Sequence, residues 1–504
     1  MSLLGIDVGI TGCKAIIFNE AGEILASSYR EYPLVQPEPG WMELEPARVM
    51  DAVRSTVRES VGKAGRGDPV RAVSVSSHAE AITPVSKAGD FLANIIAPFD
   101  NRTMAQSDWW ERELGRKRIF EITGQPLHPM YSINKIMWWR ENCPAVFDSA
   151  WKWLCVEDLV IFKLCGEAAT DHSIASRTMA FDLRKGEWSS EMLSMAGLSE
   201  EILSKPSPSG TVVGEVLPEV AGELGLPPGM KVVTGGHDQV CGALGAGIVR
   251  DGMAMDATGT VECIAPTFNR PVLTDAMLEG NYCCYEHVVP GLYATLAFNF
   301  TGGSLLRWYR DNLGKQEIDE AEIAGLDVYE IIIGKATKEP IDLYVLPHFT
   351  VTGTPAFDPL ARGAVLGLSL STTSADLIKA MLDGVTFEMR LNLERLSDTG
   401  IEVKELRAIG GGAKSWIWLQ LKADIFGLPV SALNVSEAAC LGAAILAGTG
   451  VGVYSSAKEA ADAVVKVTQR FEPDPEKAHL YTEKFEKYSR IYPMLKDFMH
   501  DLGR

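Results

Sequence analysis

The feature that most constrains the fold is an order of elements that occurs at the start of the chain and again in its second half. The first apolar run, residues 3–9, ends in an acidic residue and a glycine-containing turn, and two further strand-like runs follow at 13–18 and 22–27. Short turns between such runs predict an antiparallel meander. Apolar residues at helical spacing then predict a helix over 46–64, and a strand follows at 70–76.

The second half of the chain resembles this order. Residues 252–260 resemble the opening run and turn. The patterns predict strands at 261–265, 291–298 and 406–409, and helices at 374–397, 416–426 and 437–448. A chain of 504 residues is too long for one hydrophobic core. We therefore predict an α/β protein in which two ribonuclease-H-like domains, residues 1–248 and 249–504, flank a catalytic cleft, with a charged helical tail that packs as a cap.

Charge and cysteine content narrow the class of protein. The 47 basic and 66 acidic side chains leave a net charge of −19, and an acidic surface repels both nucleic acid and anionic lipid. Nine cysteines without a CxxC pair indicate free thiols in a reducing compartment. We find neither a signal peptide nor an apolar run of membrane-spanning length. The sequence predicts a cytoplasmic protein that does not bind nucleic acid or membrane.

The turn after the first strand has the composition of a phosphate-binding loop. Asp7 is followed by Gly9 and Thr11. Glycine lets backbone N–H groups approach phosphate oxygens closely, and a threonine hydroxyl adds a donor. The carboxylate of Asp7 can hold Mg²⁺, which phosphoryl transfer requires. An ordinary hairpin with a glycine at positive φ explains the same loop equally well.

Two further glycine-containing loops fit the same chemistry. Thr260 follows Gly259 in a loop that could contact the other side of a phosphate chain. Gly411 and Gly412 stand between a predicted strand and a predicted helix, where bare backbone leaves a flat surface for a nucleotide base or ribose. Taken alone, each of these loops also fits a structural turn.

Asp238 is the candidate acid–base residue. It follows an apolar strand-like run at 232–234 and precedes a helix-like run at 240–244, so its carboxylate lies at a helix N-terminus at the edge of the predicted cleft. There it could accept a proton from an alcohol aligned with the γ-phosphate. The alternative is a helix N-cap, a position that aspartate favours.

Taken in order, these segments resemble the FGGY carbohydrate kinases, which include glycerol, gluconate, xylulose and ribulose kinases. Residues 130–142 are similar to the family's first signature, 363–383 match its second, and 171–178 are also similar. The resemblance covers essentially the whole chain. It implies two actin-like ATPase domains that close over a cleft, with ATP and Mg²⁺ as cofactors.

The resemblance also implies roles for single residues. Asp238 matches the general base and Gln239 the neighbouring substrate contact. The positions that match phosphate or nucleotide contacts are Asp7, Gly9, Thr11, Gly259, Thr260, Gly303, Arg307, Gly411 and Gly412.

The segment that matches the family's sugar-contact loop departs from the pattern. Glu80 falls where glycerol kinases have a glutamate and xylulose kinases a histidine, and it is predicted with Asp100 to bind substrate hydroxyls. The family's tryptophan two residues before Asp100 is Pro98 here. The loop is nearer to kinases for tetritols or for the autoinducer-2 precursor. We interpret His78, beside Glu80, as a structural histidine.

The predicted function is therefore ATP-dependent phosphorylation of a hydroxyl on a small sugar or polyol, such as a ketopentose or a tetritol. One alternative is a catalytically silent relative that senses a sugar. Another is an actin- or Hsp70-like ATPase, which would not need Glu80, Asp100 and Asp238 around a sugar-sized pocket. The resemblance leaves a homodimer open.

Overall fold

Strands and helices alternate along the whole chain in the computed structural model, which describes residues 1–65 and 67–502. The strands of the first half are β1 Ser2–Val8, β2 Gly12–Asn19, β3 Ile24–Glu31, β4 Glu43–Leu44, β5 Val70–Ser77, β6 Ile82–Val85, β7 Ile95–Ile96, β8 Lys152–Cys155, β9 Ala169–Asp171, β10 Phe181–Asp182, β11 Glu187–Trp188, β12 Lys205–Ser207, β13 Val212–Glu215 and β14 Lys231–His237. Its helices are α1 Pro46–Ala64, α2 Met104–Glu113, α3 Arg116–Thr123, α4 Ser132–Asn142, α5 Pro144–Ser149, α6 Val156–Cys165, α7 His172–Ser176, α8 Ser190–Ala196, α9 Pro218–Leu224 and α10 Asp238–Gly245.

The second half contains the remaining elements. Its strands are β15 Met253–Thr258, β16 Glu262–Phe268, β17 Tyr285–Glu286, β18 Tyr293–Ala294, β19 Ala297–Asn299, β20 Tyr344–Leu346, β21 Ala364–Leu366, β22 Glu405–Gly410, β23 Val430–Leu433 and β24 Val467–Phe471. Its helices are α11 Asp275–Glu279, α12 Gly303–Asn312, α13 Lys315–Ala324, α14 Val328–Gly334, α15 Ser374–Asp398, α16 Trp416–Phe426, α17 Ala438–Gly450, α18 Ala457–Val464 and α19 Pro475–Leu502.

The sheet of the first half brings three strand ends to one edge. Its order is β13-β14-β5-β1-β2-β3, in which β1, β2 and β3 form the predicted antiparallel meander. Strands β5 and β14 run parallel to β1, with Asp7 opposite Ser76 and His237 opposite Ser77. Because parallel strands end at the same edge, the first phosphate loop, the segment after β5 and Asp238 lie side by side.

The sheet of the second half repeats this arrangement around a different pair of loops. Its path is β17-β18-β16-β15-β22-β23-β24, with β19 paired to β16. Strand β15 is antiparallel to β16 and parallel to β22, with Thr258 opposite Gly410. This register places the loop after β15 beside the glycine-rich loop after β22.

Helices α10 and α17 join the two halves through close backbone contacts. A Cβ added at Gly442 would lie 1.9 Å from the carbonyl oxygen of Cys241, and one at Gly245 would lie 1.9 Å from that of Ala438. A Cβ at Gly5 of β1 would meet the Cys440 carbonyl oxygen at 2.0 Å. Glycine is therefore required at these positions by the approach of α17 to α10 and to the first sheet. The boundary at residue 248 stays a prediction.

Most predicted elements are observed within a residue or two, and two regions differ. The strand predicted at 291–298 is divided into β18 and β19, which pair with different parts of β16 on either side of Pro266. Proline lacks the N–H that would continue the ladder. The tail contains a strand, β24, that the sequence did not predict. No helix within the described residues is long and apolar enough to span a membrane.

Candidate active site

The first loop presents backbone and a carboxylate at the end of β1. Its turn is closed by a hydrogen bond from Gly9 N–H to the Gly12 carbonyl at 2.9 Å, and Thr11 is exposed at the tip. Asp7 Oδ1 accepts a hydrogen bond from Ser76 Oγ at 2.9 Å. Burial, together with the nearby Asp238 carboxylate, raises the pKa of Asp7 to about 7.

The loop is also tied to the second half by an ion pair that the sequence analysis missed. Lys14, opposite Asp7 on β2, places Nζ 2.6 Å from Oε2 of Glu437 at the start of α17. Both side chains are partly exposed, at 28% and 32%. Their separation of more than four hundred positions left no local pattern by which to find the pair.

A cavity of about 620 Å³ lies in the second half and is lined by six of the predicted nucleotide residues. These are Gly259, Thr260, Gly303, Arg307, Gly411 and Gly412. Thr258, Tyr329, Trp416 and Ile417 are also in the wall. The size is within the range typical of small-molecule sites, about 300–1,000 Å³.

Some glycines of these loops are explained by packing and others are not. A Cβ at Gly412 would lie 2.6 Å from Thr258 Cβ, and one at Gly303 would lie 2.6 Å from the Gly259 carbonyl oxygen. By contrast, a Cβ at Gly259 or Gly411 would first meet an atom at 3.9 Å, and neither residue has positive φ. Packing within the fold therefore does not require glycine at those two positions, and their predicted contact with a nucleotide stays a prediction.

Beneath this cavity lies a buried charge cluster that the sequence analysis also missed. Lys422 of α16 places Nζ 2.6 Å from Asp256 Oδ2 and 2.9 Å from Glu262, and it donates to Thr258 Oγ1 at 2.6 Å. Burial by itself would lower the pKa of Lys422, but the two carboxylates outweigh it and raise that pKa. The cluster fixes Thr258 at the rim of the second loop. A single lysine in the mainly apolar helix α16 is the sequence feature that could have indicated a buried, paired charge.

Asp238 is the first residue of α10, and the N-cap position predicted as its alternative role is occupied by His237. Its side chain is 28% exposed, and Oδ1 lies 3.0 Å from His237 Nε2. The ring N–H does not point at Oδ1, which accepts no hydrogen bond from the described residues, so we treat the contact as electrostatic. Burial by itself would raise the pKa of Asp238, but His237 and His78 outweigh it and the net pKa is lowered. The carboxylate is ionised at neutral pH.

Glu80 lies on the same side of the cleft, in a buried ion pair. It has a positive φ of 64°, and Arg177 places a guanidinium nitrogen 2.5 Å from its Oε1. Arg177 also donates to Gln125 Oε1 at 2.9 Å. Arg177 belongs to the segment at 171–178 that resembles the family, but its partner could not be identified from the sequence.

The other two predicted substrate residues differ in their surroundings. Gln239, next to Asp238, has a buried Oε1 without a partner among the described residues. Asp100 is 2% exposed, and its two oxygens accept hydrogen bonds from Arg102 and from Met42 N–H. These bonds give Asp100 a structural part, and its contact with substrate stays a prediction.

His78 has one free ring nitrogen close to Asp238. Its Nδ1 lies 2.9 Å from the carbonyl oxygen of Val8, whereas Nε2 is buried with no partner in the part of the chain that is described. Burial lowers the pKa of His78, so the ring is neutral at physiological pH. The interpretation of His78 as a structural histidine explains the contact of Nδ1 with Val8, but it does not explain the unpartnered Nε2.

Known proteins match nearly the whole chain. The N-terminal domain model of the FGGY family of carbohydrate kinases matches residues 2–245, and the C-terminal domain model matches residues 255–451. A xylulose kinase of Bacillus subtilis (strain 168) is 28% identical, over 98% of this chain and 97% of that protein. An autoinducer-2 kinase of Salmonella paratyphi B is 29% identical, over 97% of this chain and 94% of that protein.

The fold is also shared with solved structures. The crystal structure of xylulose kinase from Rhodospirillum rubrum superposes with a TM-score of 0.90 at 27% identity, and the match covers 99% of this chain and 100% of that one. Two matched domain models, full-length relatives and a full-length structural match therefore agree with the two-sheet architecture.

Proposed function

Because this chain belongs to the FGGY family of carbohydrate kinases, whose members phosphorylate sugars with ATP, we propose that it transfers the γ-phosphoryl group of ATP to one hydroxyl of a small sugar or polyol, with Asp238 as the general base. The observation that carries the proposal is the position of Asp238. Its ionised, partly exposed carboxylate stands at the sheet edge that also holds the first phosphate loop.

The nucleotide would occupy the cavity of the second half. Gly259 and Gly411 keep open space beside bare backbone there, and Trp416 and Ile417 offer an apolar wall to a base. Arg307, whose Nη2 lies 3.5 Å from Thr260 Oγ1, supplies a cationic side chain at the phosphate side of the cavity. This combination of backbone donors and one guanidinium is suited to a triphosphate.

A magnesium ion would be held at Asp7. The described residues contain no group of three or more histidines, cysteines or carboxylates placed to hold a metal. A single carboxylate is sufficient for Mg²⁺ when phosphate oxygens and water complete its coordination. When bound, the ion neutralises charge on the β- and γ-phosphates.

In the phosphoryl transfer this chain would have two roles. Asp238 takes the proton of the substrate hydroxyl as that oxygen attacks the γ-phosphorus. The walls of the cleft exclude water, which would otherwise compete as the acceptor. Neither step requires a covalent intermediate with the enzyme.

The substrate would lie between Asp238 and Glu80. Glu80, Gln239 and, by prediction, Asp100 supply oxygens that accept hydrogen bonds from neighbouring hydroxyls. A polyhydroxylated molecule such as a ketopentose, a tetritol or the autoinducer-2 precursor supplies the matching donors. The absence of the family's tryptophan at Pro98 favours the last two over a plain xylulose or glycerol kinase.

The proposal is tested by ADP release with Mg·ATP and a panel of tetritols, pentitols, ketopentoses, ketohexoses, glycerol, gluconate and the autoinducer-2 precursor. We expect strong turnover with one class of substrate. Asp238→Asn should lower kcat by about 10²- to 10⁴-fold, the usual contribution of general base catalysis, while ATP binding is kept.

Asp251→Asn is the matched control, because Asp251 is an exposed carboxylate outside the cleft. Near-normal turnover in Asp238→Asn would remove that residue as the base. Silence across the whole panel with ATP binding intact would contradict the kinase proposal and favour a sugar-sensing relative.

A further inference from the structure

Tyr285, from the second half of the chain, contacts His237, which in turn contacts Asp238, the proposed general base. Its hydroxyl lies 3.3 Å from His237 Nδ1, and the two rings are tilted at a centroid distance of 5.6 Å. On its opposite side the same imidazole places Nε2 3.0 Å from Asp238 Oδ1. Tyr285 is fully buried and His237 is 5% exposed, so these two side chains lie inside the protein and only Asp238 is partly exposed.

The Tyr285 hydroxyl can donate a hydrogen bond to Nδ1, and this assignment leaves the ring proton of His237 on Nε2. Burial raises the pKa of Tyr285 well above its ordinary value, so the phenol keeps its proton and can donate it to Nδ1. A neutral imidazole that accepts at Nδ1 carries its own proton on Nε2. That nitrogen lies 3.0 Å from Asp238 Oδ1, so the partial positive charge of its N–H lies beside the carboxylate without a hydrogen bond to Oδ1.

The backbone of His237 is also fixed. Its N–H donates to Ser173 Oγ at 2.9 Å, and a Cβ on the preceding residue, Gly236, would lie 2.5 Å from Val288 Cγ1. The ring therefore has little freedom to move away from Asp238. With Oδ1 held inward, the exposed part of the carboxylate is turned toward the cleft, where a substrate hydroxyl would lie.

We infer that Tyr285 and His237 are positioning residues for this kinase: they hold Asp238 in the orientation in which its outer oxygen receives the substrate proton. The inference rests on the proposed role of Asp238 as the base. A positioning group of this kind acts on turnover, because a base that is displaced by about 1 Å can lose about 10²-fold in rate.

The same tyrosine ring also contacts the sugar side of the site. The guanidinium of Arg177 lies 5.4 Å from the centre of the Tyr285 ring, a distance at which a cation is attracted to the face of an aromatic ring. Arg177 in turn holds Glu80. Tyr285 thus supports the base with its hydroxyl and the predicted sugar contact with its ring, so the two effects can be separated by substitution.

The experiment measures kcat and both KM values, with the panel sugar that is turned over fastest, in Tyr285→Phe, His237→Leu and His237→Gln. Tyr285→Phe removes the hydroxyl and keeps the ring over Arg177. The amide nitrogen of glutamine can occupy the place of the ring Nε2, so His237→Gln keeps a polarised N–H beside Asp238, whereas leucine removes it.

We expect His237→Leu to lower kcat by about 10- to 100-fold, with both KM values within about threefold of the wild type. Tyr285→Phe should lower kcat by about 3- to 10-fold with the sugar KM unchanged, and His237→Gln should recover most of the loss. If the two residues act as one unit, the double variant Tyr285→Phe/His237→Leu is no slower than His237→Leu alone.

Tyr282→Phe is the matched control. Tyr282 is equally buried and donates to Asn392 Oδ1 at 2.9 Å, far from Asp238 in the hydrogen-bond network. Wild-type kcat in Tyr285→Phe and His237→Leu, or an equal fall in Tyr282→Phe, would overturn the inference. If Asp238→Asn itself keeps its turnover, the proposed base fails first, and that result is distinct from a failure of the positioning residues alone.

Discussion

The proposed nucleotide cavity and the proposed base site consist of different chemical groups. The cavity wall is backbone, glycine and a few apolar side chains around about 620 Å³ of open space. The base site is a closed set of ionisable groups, in which Asp238 is in contact with His237 and Glu80 is paired with Arg177 at 2.5 Å. One region is defined by open space beside bare backbone, and the other by charged side chains that their neighbours hold in place.

This difference determines how a substitution in each region affects the stability of the protein. A buried ion pair is strongly destabilising when one partner is removed, because the other charge is left in the interior. A glycine that faces open space contributes no packing, so its replacement is felt only when a ligand arrives. Substitutions in the base site should therefore lower the free energy of unfolding, whereas substitutions of glycines in the cavity should weaken ligand binding alone.

The largest effect is expected from Glu80→Gln in the base site. Removal of the charge leaves the buried Arg177 guanidinium with neutral neighbours, Gln125 and Tyr285, and we expect a loss of about 3 kcal/mol in the free energy of unfolding. The sugar KM should rise by about tenfold and the ATP KM should stay unchanged. Denaturant unfolding and initial-rate kinetics measure the two quantities.

Asp383→Asn is the control, since Asp383 is also buried and is paired with Lys379 on α15 of the second half. It should lose stability without a selective rise in the sugar KM. An effect of Glu80→Gln confined to the ATP KM would move Glu80 out of the sugar site and remove the contrast between the two regions.

A smaller effect is expected from Gly259→Ala in the nucleotide cavity. The added methyl group has room in the ligand-free protein, with its nearest neighbour at 3.9 Å, so the melting temperature should stay at the wild-type value. It would occupy space needed by phosphate, and we expect the ATP KM to rise by about tenfold, or about 1.4 kcal/mol.

Gly412→Ala sharpens this comparison, because its methyl group would lie 2.6 Å from Thr258 Cβ and should lower the melting temperature. Equal destabilisation by both substitutions would show that Gly259 is a packing glycine. A wild-type ATP KM in Gly259→Ala would separate that glycine from nucleotide binding.

The smallest effect on stability is expected from an ion pair that joins the first half of the chain to the second. His172 Nδ1 lies 3.0 Å from Glu286 Oε2. Burial by itself would lower the pKa of His172, but Glu286, with a weaker contribution from Asp171, outweighs it and raises that pKa. A raised pKa in the folded state means that the pair's stabilisation is fully present below the unfolded-state value and is lost as pH rises through the folded-state value.

We therefore expect the wild type to exceed His172→Gln in stability by about 0.5–1 kcal/mol at about pH 5.5, and the difference to vanish near about pH 8.5. Thermal unfolding of both proteins at the two pH values measures it. A difference that grows with pH would contradict the assigned sign. Wild-type stability of His172→Gln at both values would show that the pair contributes nothing to the contact between the halves.

The sequence predicted the residues of the cavity more completely than the contacts of the base site. Each glycine loop occupies a few consecutive residues after a predicted strand, so its chemistry could be inferred locally, and six of the predicted nucleotide residues line one cavity. The partners of Glu80 and His237 could not be found in this way. Arg177 is separated from Glu80 by 97 positions, and Tyr285 from His237 by 48.

The sequence by itself determined the α/β class, the order of strands and helices, the family and the residue types at the strand ends, because all of these depend on periodicity and on short motifs. Tertiary structure alone decided which charges meet. It paired Lys422 with Asp256, Lys14 with Glu437, and Tyr285 with His237. The physical reason is that such pairs form across parallel strand ends and between the two halves, where proximity is set by sheet register and helix packing, which no local spacing in the chain records.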